Sequence, residues 1–160
     1  MVLVLGIIAP EDLSGIFNIP LEELDCAGLK LTLSNVYRIG SSGMIKINGK
    51  KLPKYIEVSP VNNIFHLKQG AYLVKYSEYI RVPSDAIALA IQRSSLLRMG
   101  ASLYTAVWDP GYEGRGSGLL AVHNEHGICI EKGAQIAQLV FIRMNKPTKK
   151  LYRGSYFREK

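Results

Sequence analysis

Arg93-Ser94-Ser95-Leu96-Leu97-Arg98-Met99-Gly100 is followed closely by Trp108-Asp109-Pro110-Gly111-Tyr112-Glu113-Gly114. The first stretch joins a cation to two hydroxyls. The second holds one acid in a fixed place beside a turn. Together they suggest hydrolysis of a phosphate ester or anhydride. Ser94 or Ser95 is a good helix N-cap, Leu96 to Met99 are strong helix formers, and Gly100 is a natural stop. A short helix is therefore expected here, with free N–H groups near the serines and a start that suits an anion. Arg93 adds a planar fork of donors that matches phosphate oxygens. An ordinary capped turn with a surface arginine has the same spacing and is commoner. Asp-Pro-Gly is turn chemistry, and it places Asp109 at the end of the apolar run Ala106-Val107-Trp108. The Tyr112 ring could pack on a sugar or base. Asp109 could equally close an Asx-type turn and do nothing more.

The elements that must carry these residues are short strands. Leu29 to Leu33 alternates apolar and polar residues, which puts Leu29, Leu31 and Leu33 on one face and Lys30 and Thr32 on the other. Ile45–Ile47, Tyr55–Val58, Ala71–Tyr76 and Ala86–Ile91 read the same way. Leu119–Val122 and Ile128–Ile130 flank a turn at Asn124-Glu125-His126-Gly127, which predicts a hairpin. Gln138–Met144 is the last strand expected. The Ser41–Gly49 segment reads as a hairpin loop, and a short helix is expected between Asp12 and Leu24. Many short strands with turns between them indicate an all-β sandwich or barrel. A β domain is expected over residues 1–145, and a basic, flexible tail over 146–160.

A chain of 160 residues, 48% hydrophobic, is one domain with a real core and not a disordered tail. Its net charge of +7 suits a polyanionic ligand. Nucleic acid is disfavoured, because there is no aromatic-basic interleaving, zinc motif or helix-turn-helix. Cys26 and Cys129 form neither a disulfide framework nor a metal knuckle, and both are expected to act as small apolar residues. His123-Asn124-Glu125-His126 lacks the helical spacing of a metal site, and His66, between Phe65 and Leu67, reads as structural. Met1 to Ile8 is apolar but short and has no basic flank. It reads neither as a signal peptide nor as a membrane span, and a cytoplasmic protein is expected.

Taken in order, Ala27-Gly28-Leu29-Lys30-Leu31, Arg93-Ser94-Ser95, Trp108-Asp109-Pro110-Gly111-Tyr112, Gly133 to Phe141 and Tyr152-Arg153-Gly154 resemble the five motifs of the dUTPase and dCTP deaminase superfamily. The likeness is greatest to its archaeal dUTPase branch. The resemblance implies a distorted jelly-roll of the β-clip kind, with one short helix after Arg-Ser-Ser, assembled as a homotrimer. It implies hydrolysis of dUTP to dUMP and pyrophosphate by water attacking the α-phosphorus. Asp109 would be the general base. Arg93, Ser94, Ser95 and Gln138 would hold phosphate oxygens, and Arg153 would reach over the phosphates of a neighbouring subunit. Tyr112 would pack against the deoxyribose. Mg²⁺ would be bound through the substrate phosphates and water, with no direct protein ligand.

Deaminases of this superfamily need a glutamate where this chain has Leu119, so deamination of dCTP is the alternative and not the leading reading. The first motif normally carries an aspartate where this chain has Lys30. A lysine there would repel Mg²⁺ or neutralise phosphate itself, which leaves a weak or non-catalytic nucleotide-binding relative as a further alternative. Gln92 stands where a proline is usual. Trp108 would pack in the core and dry the site.

Overall fold

The computed structural model describes residues 6–159. Met1 to Leu5, most of the apolar start considered above, lie outside them. Two α-helices fall among the described residues, α1 (Pro10–Phe17) and α2 (Ser94–Arg98), with a single 3-10 turn at Leu21–Glu23. The strands are β1 (Leu29–Ile39), β2 (Met44–Lys46), β3 (Gly49–Lys51), β4 (Tyr55–Glu57), β5 (Ile64–Leu67), β6 (Gly70–Tyr76), β7 (Ile80–Arg81), β8 (Ala86–Gln92), β9 (Ala101–Tyr104), β10 (Glu113–Gly114), β11 (Ser117–Val122), β12 (Ile128–Glu131) and β13 (Gln135–Arg143). The fold is all-β, as the strand pattern predicts. Its main sheet runs β8-β13-β1-β6-β11-β9, with β4 added on β1.

β1 shows why the sequence folds this way. Leu29, Leu31, Leu33 and Val36 are at most 2% exposed, while Lys30 and Thr32 face the other side. Each fully buried leucine contributes roughly 1.5–3 kcal/mol relative to an exposed one, so the alternation fixes the face. The strand pairs with β13 over Leu29 to Thr32 and with β6 over Leu33 to Arg38. Register shifts at Leu31/Thr32 and Leu33/Asn35 mark the change of partner. Such bulges bend a strand and let one strand serve two parts of a curved sheet. The core lies inside that curve, around Val74, Tyr76, Leu120, Leu139 and Phe141.

Several expectations are corrected. β11 and β12 do not form a hairpin with each other: β11 pairs with β6 and β9, and β12 pairs with β5. The turn between them exists, but Gly100 accepts hydrogen bonds from the His123 and Asn124 N–H groups, and the Asn124 amide donates to Met99. The turn is thereby tied to the end of α2, and the chain leaves it into a different sheet. Met44 to Lys51 forms its own exposed hairpin of β2 and β3, not a strand inside a loop. The expected helix starts earlier, at Pro10, and ends at Phe17. Both cysteines are exposed and not part of the apolar interior. Cys129 lies opposite His66 across β12 and β5, with Sγ 3.2 Å from Nδ1. Their strands are amphipathic, and both residues fall on the outer face.

Candidate active site

α2 begins at Ser94, with Arg93 as the extended residue before it. The expected serine cap is not formed. Arg93 itself occupies the cap position, and its carbonyl accepts from the N–H groups of Leu96 and Leu97. Strand pairing decides this. The Arg93 N–H donates to the Ile136 carbonyl (2.9 Å), so β8 remains extended through Arg93 and the helix can start only after it. Ser94 and Ser95 occupy the first helical positions, exposed, and their hydroxyls have no hydrogen-bond partner among the described residues. Gln92, where a proline is usual, accepts from the Leu103 N–H at 2.7 Å and ties β8 to β9.

Around Arg93 lie residues from two other segments. Its Nη1 donates to both oxygens of Asp25 (3.2 and 3.0 Å) and to the Gln135 amide oxygen (3.1 Å). The Gln135 amide nitrogen donates to Asp25 in turn. Asp25 opens a tight turn whose ends exchange backbone hydrogen bonds between Asp25 and Gly28. Gly28 is required there, because a Cβ would run into the Leu139 carbonyl oxygen of β13. Gln138 faces the same turn, and with its amide assigned in the orientation its donor neighbours require, the oxygen accepts from the Ala27 N–H (2.9 Å) and the Gly28 N–H (3.1 Å). Lys30 is the cross-strand partner of Gln138. Beside it, Thr32 donates through both its N–H and its hydroxyl to Glu78. Arg93, Ser94, Ser95, Lys30 and Gln138 are therefore brought to one region. Sequence reasoning missed Asp25 and Gln135, which complete it. Asp25 sits just before the first motif, but nothing in its spacing reports a pairing with Arg93 in a distant strand.

Asp109 lies elsewhere. Trp108 and Ala88 exchange backbone hydrogen bonds of 3.0 and 2.9 Å, which anchors the Asp109 turn near the start of β8. Arg93 follows five residues further on, roughly 16 Å away at the usual strand rise. Among the described residues, no hydrogen bond or ion pair joins the Asp109 turn to the Arg93 cluster. The Asp109 turn closes through its backbone, with the Tyr112 N–H donating to the Asp109 carbonyl (3.0 Å) and Gly111 at a φ of 76°. The Asp109 carboxylate is exposed and has no hydrogen-bond partner among the described residues. It is not spent on an Asx turn.

Beside Asp109 is a cleft of about 650 Å³, walled by Trp108, Tyr112, Tyr37, Tyr55, Tyr152 and Tyr156. Tyr112 is buried, edge-on to Trp108 at 5.1 Å and tilted against Tyr152 at 5.6 Å. Burial pushes its phenol well above the ordinary range, with the nearby Glu159 adding to the effect, so it stays protonated. The tail reaches this cleft. Tyr152 donates its N–H to the Pro110 carbonyl (2.8 Å), and Arg153 lies against the same turn through the Gly111 carbonyl (3.4 Å). Arg158 donates its N–H to the Glu113 carbonyl, and Glu159 pairs with Lys75 at 3.1 Å. A hydrogen bond from Tyr79, together with Arg158, pulls the Glu113 carboxyl below its ordinary value.

Leu119 faces outward from β11, 38% exposed, with Leu73 and Tyr104 as its cross-strand partners. His123 meets the Ser102 hydroxyl and His126 lies beside Glu125, so the two histidines serve different partners. Among the described residues, no three His, Cys, Asp or Glu side chains converge as metal ligands. Among them, too, no helix is long and apolar enough to cross a membrane.

A family model described as dCTP deaminase-like matches residues 11–144. The probable deoxyuridine 5'-triphosphate nucleotidohydrolase of Archaeoglobus fulgidus is 42% identical over 131 residues, covering 81% of this chain and 77% of the relative. The deoxyuridine 5'-triphosphate nucleotidohydrolase of Methanocaldococcus jannaschii is 41% identical over 143 residues, covering 87% and 90%. Among solved structures, the 2'-deoxycytidine 5'-triphosphate deaminase of Agrobacterium tumefaciens superposes with a TM-score of 0.66 at 21% identity. That match covers 87% of this chain and 48% of the deaminase, so the chain spans about half of that protein and shares its fold.

Proposed function

Because the chain belongs to the dCTP deaminase-like family, we propose that it is a dUTP diphosphatase, converting dUTP and water to dUMP and pyrophosphate. The observation that carries this choice within the family is Leu119. An alkyl side chain cannot relay a proton to a base ring, so the position that deamination needs as a glutamate is chemically silent. The turn-held, unpartnered carboxylate of Asp109 supports hydrolysis instead.

Asp109 takes a proton from water as the water oxygen bonds to the α-phosphorus. The bond from that phosphorus to the bridging oxygen of the β-phosphate breaks, and pyrophosphate leaves. A positioned carboxylate of this kind supplies roughly 10²–10⁴ in rate. The remainder comes from fixing and neutralising the triphosphate. Arg93, the hydroxyls of Ser94 and Ser95, and the amide of Gln138 hold phosphate oxygens. Tyr112 and its aromatic neighbours form an apolar wall for the sugar.

The roughly 16 Å of strand between Ala88, which anchors the Asp109 turn, and Arg93 supports a site shared between copies. Assembly as a homotrimer places the Asp109 turn of one copy against the Arg93 cluster of the next. Arg153 then reaches over the phosphates bound at a neighbouring copy. Mg²⁺, entering with the triphosphate, would add charge neutralisation there. Lys30 supplies part of the same charge from the protein.

The test is incubation with each deoxynucleoside triphosphate and Mg²⁺, followed by chromatography of the products. dUMP and pyrophosphate from dUTP alone are expected. Ammonia from dCTP would make the protein a deaminase, and binding without turnover would make it a non-catalytic relative.

A further inference from the structure

Arg93 is held from one side only. All three of its side-chain hydrogen bonds use Nη1, two to Asp25 and one to Gln135. Among the described residues no acceptor reaches Nη2 or Nε. A guanidinium presents its donors in a rigid planar fork, so pinning one nitrogen sets the direction of the opposite edge. That edge is the one able to make two parallel bonds to a phosphate.

The pinning groups are themselves fixed. Gln135 is in β13, opposite Thr32, and donates to Asp25. Asp25 is in a turn closed by its bridge to Gly28 and clasped by Gln138. Its side chain is only 17% exposed, against 42% for Arg93. A shielded carboxylate bonded to a more open guanidinium is arranged to support it from behind.

We infer that Asp25 is the positioning residue for Arg93, with Gln135 as its second support, and that together they aim the Nη2–Nε edge of Arg93 at substrate phosphate. This rests on the reading of Arg93 as a phosphate-holding group. It also gives the site a carboxylate with a role unlike that of the acid replaced at Lys30: the Asp25 carboxylate orients a cation of the protein.

The test uses the full chain and a dUTP analogue with a non-hydrolysable α,β-imido bridge, measured by calorimetry, with deoxyuridine as the phosphate-free control. Asp25→Asn, which keeps shape and removes charge, is expected to weaken analogue binding about tenfold, the scale of a lost charged hydrogen bond. Binding of deoxyuridine should be unchanged. Asp25→Glu should recover most of the loss. Arg93→Ala should weaken the analogue at least as much, and adding Asp25→Asn to Arg93→Ala should cost nothing further, because residues acting through one group are not additive. Gln135→Ala, outside the Asp25 turn, should show a smaller loss that also vanishes in Arg93→Ala, which keeps the test decisive if Asp25→Asn folds poorly. Unchanged or tighter analogue binding by Asp25→Asn would overturn the inference and leave Asp25 a mere counter-ion. Additive losses would make its role purely structural. If Arg93→Ala itself bound the analogue as well as wild type, the phosphate reading of Arg93 would fall, and the inference with it.

Discussion

Trp108 and Ala88 exchange both of their backbone hydrogen bonds, and this pair sets Asp109 near one end of β8 while Arg93 stands at the other. On the proposed reading, these residues reach one substrate from different copies. Asp109→Asn should keep the fold and dUTP binding and lower kcat by roughly 10²–10⁴. Mixed oligomers of Asp109→Asn and Arg93→Ala, each nearly inactive alone, should regain part of the wild-type rate, because some sites then draw both native residues. Rates of the separate and co-refolded proteins check this. No recovery would place both groups in the same chain's site.

Lys30 faces the polar side of β1 as the cross-strand partner of Gln138. Unit charges about 4 Å apart near a surface interact by roughly 1–4 kcal/mol, attractive toward phosphate and repulsive toward Mg²⁺. Lys30→Asp should therefore steepen the Mg²⁺ dependence of dUTP hydrolysis and raise turnover at saturating Mg²⁺. Superimposable Mg²⁺ titrations for the two proteins would place Lys30 away from the phosphates.

Leu119 has no proton to give. The protein should release no ammonia from dCTP or dCMP in a coupled ammonia assay. Measurable deamination would mean that another group supplies the transfer.

Tail residues 150–159 dock through backbone bonds, the Glu159–Lys75 ion pair and the rings of Tyr152 and Tyr156 at the rim of the cleft, with no side chain of the tail among the fully buried core. Deleting Lys149 to Lys160 should leave a folded oligomer and lower kcat/KM for dUTP, as expected when a segment closes over phosphates. Size-exclusion chromatography and steady-state kinetics measure the two effects. Unchanged kinetics would remove the tail from the site.

Glu113 makes the tail contact pH-sensitive. Its folded value lies below the ordinary 4.5, held down by Tyr79 and Arg158. A carboxylate depressed by folding adds stability that is fully present above its unfolded value and is lost as pH falls through the folded one. Protection of the 150–159 segment from hydrogen exchange, corrected for intrinsic rates, should hold at about pH 6 and drop by about pH 3. Glu113→Gln should lower that protection at neutral pH. Equal protection in all three conditions would assign the latch to backbone bonds alone.

Much of the fold was legible because alternation is a strong local signal. β1 is visible as a run in which every second residue is apolar, and β6, β8 and β13 as short, largely apolar runs. The false hairpin of β11 and β12 shows where that signal stops. The turn residues are right, but Gly100 and Met99, distant in sequence, decide where the chain goes next. Asp109 and its turn were readable because Asp-Pro-Gly carries its geometry locally. The serine cap was misread because the bond from Arg93 to Ile136 on β13 overrides cap preference. Asp25 and Gln135 left no trace, since each matters only through a side chain far away in the sequence. Cys26 and Cys129 were misplaced because a small residue fits either face of a strand or turn.

The turn that presents Asp25 accepts no side chain at Gly28, yet its second residue, Cys26, is exposed. With Cys129 replaced by serine, a thiol-directed fluorophore would attach at Cys26 alone, one residue from the carboxylate that holds Arg93. The chain thus carries a built-in attachment point from which the arrival of a phosphate could be followed in real time, without touching any group assigned to the chemistry.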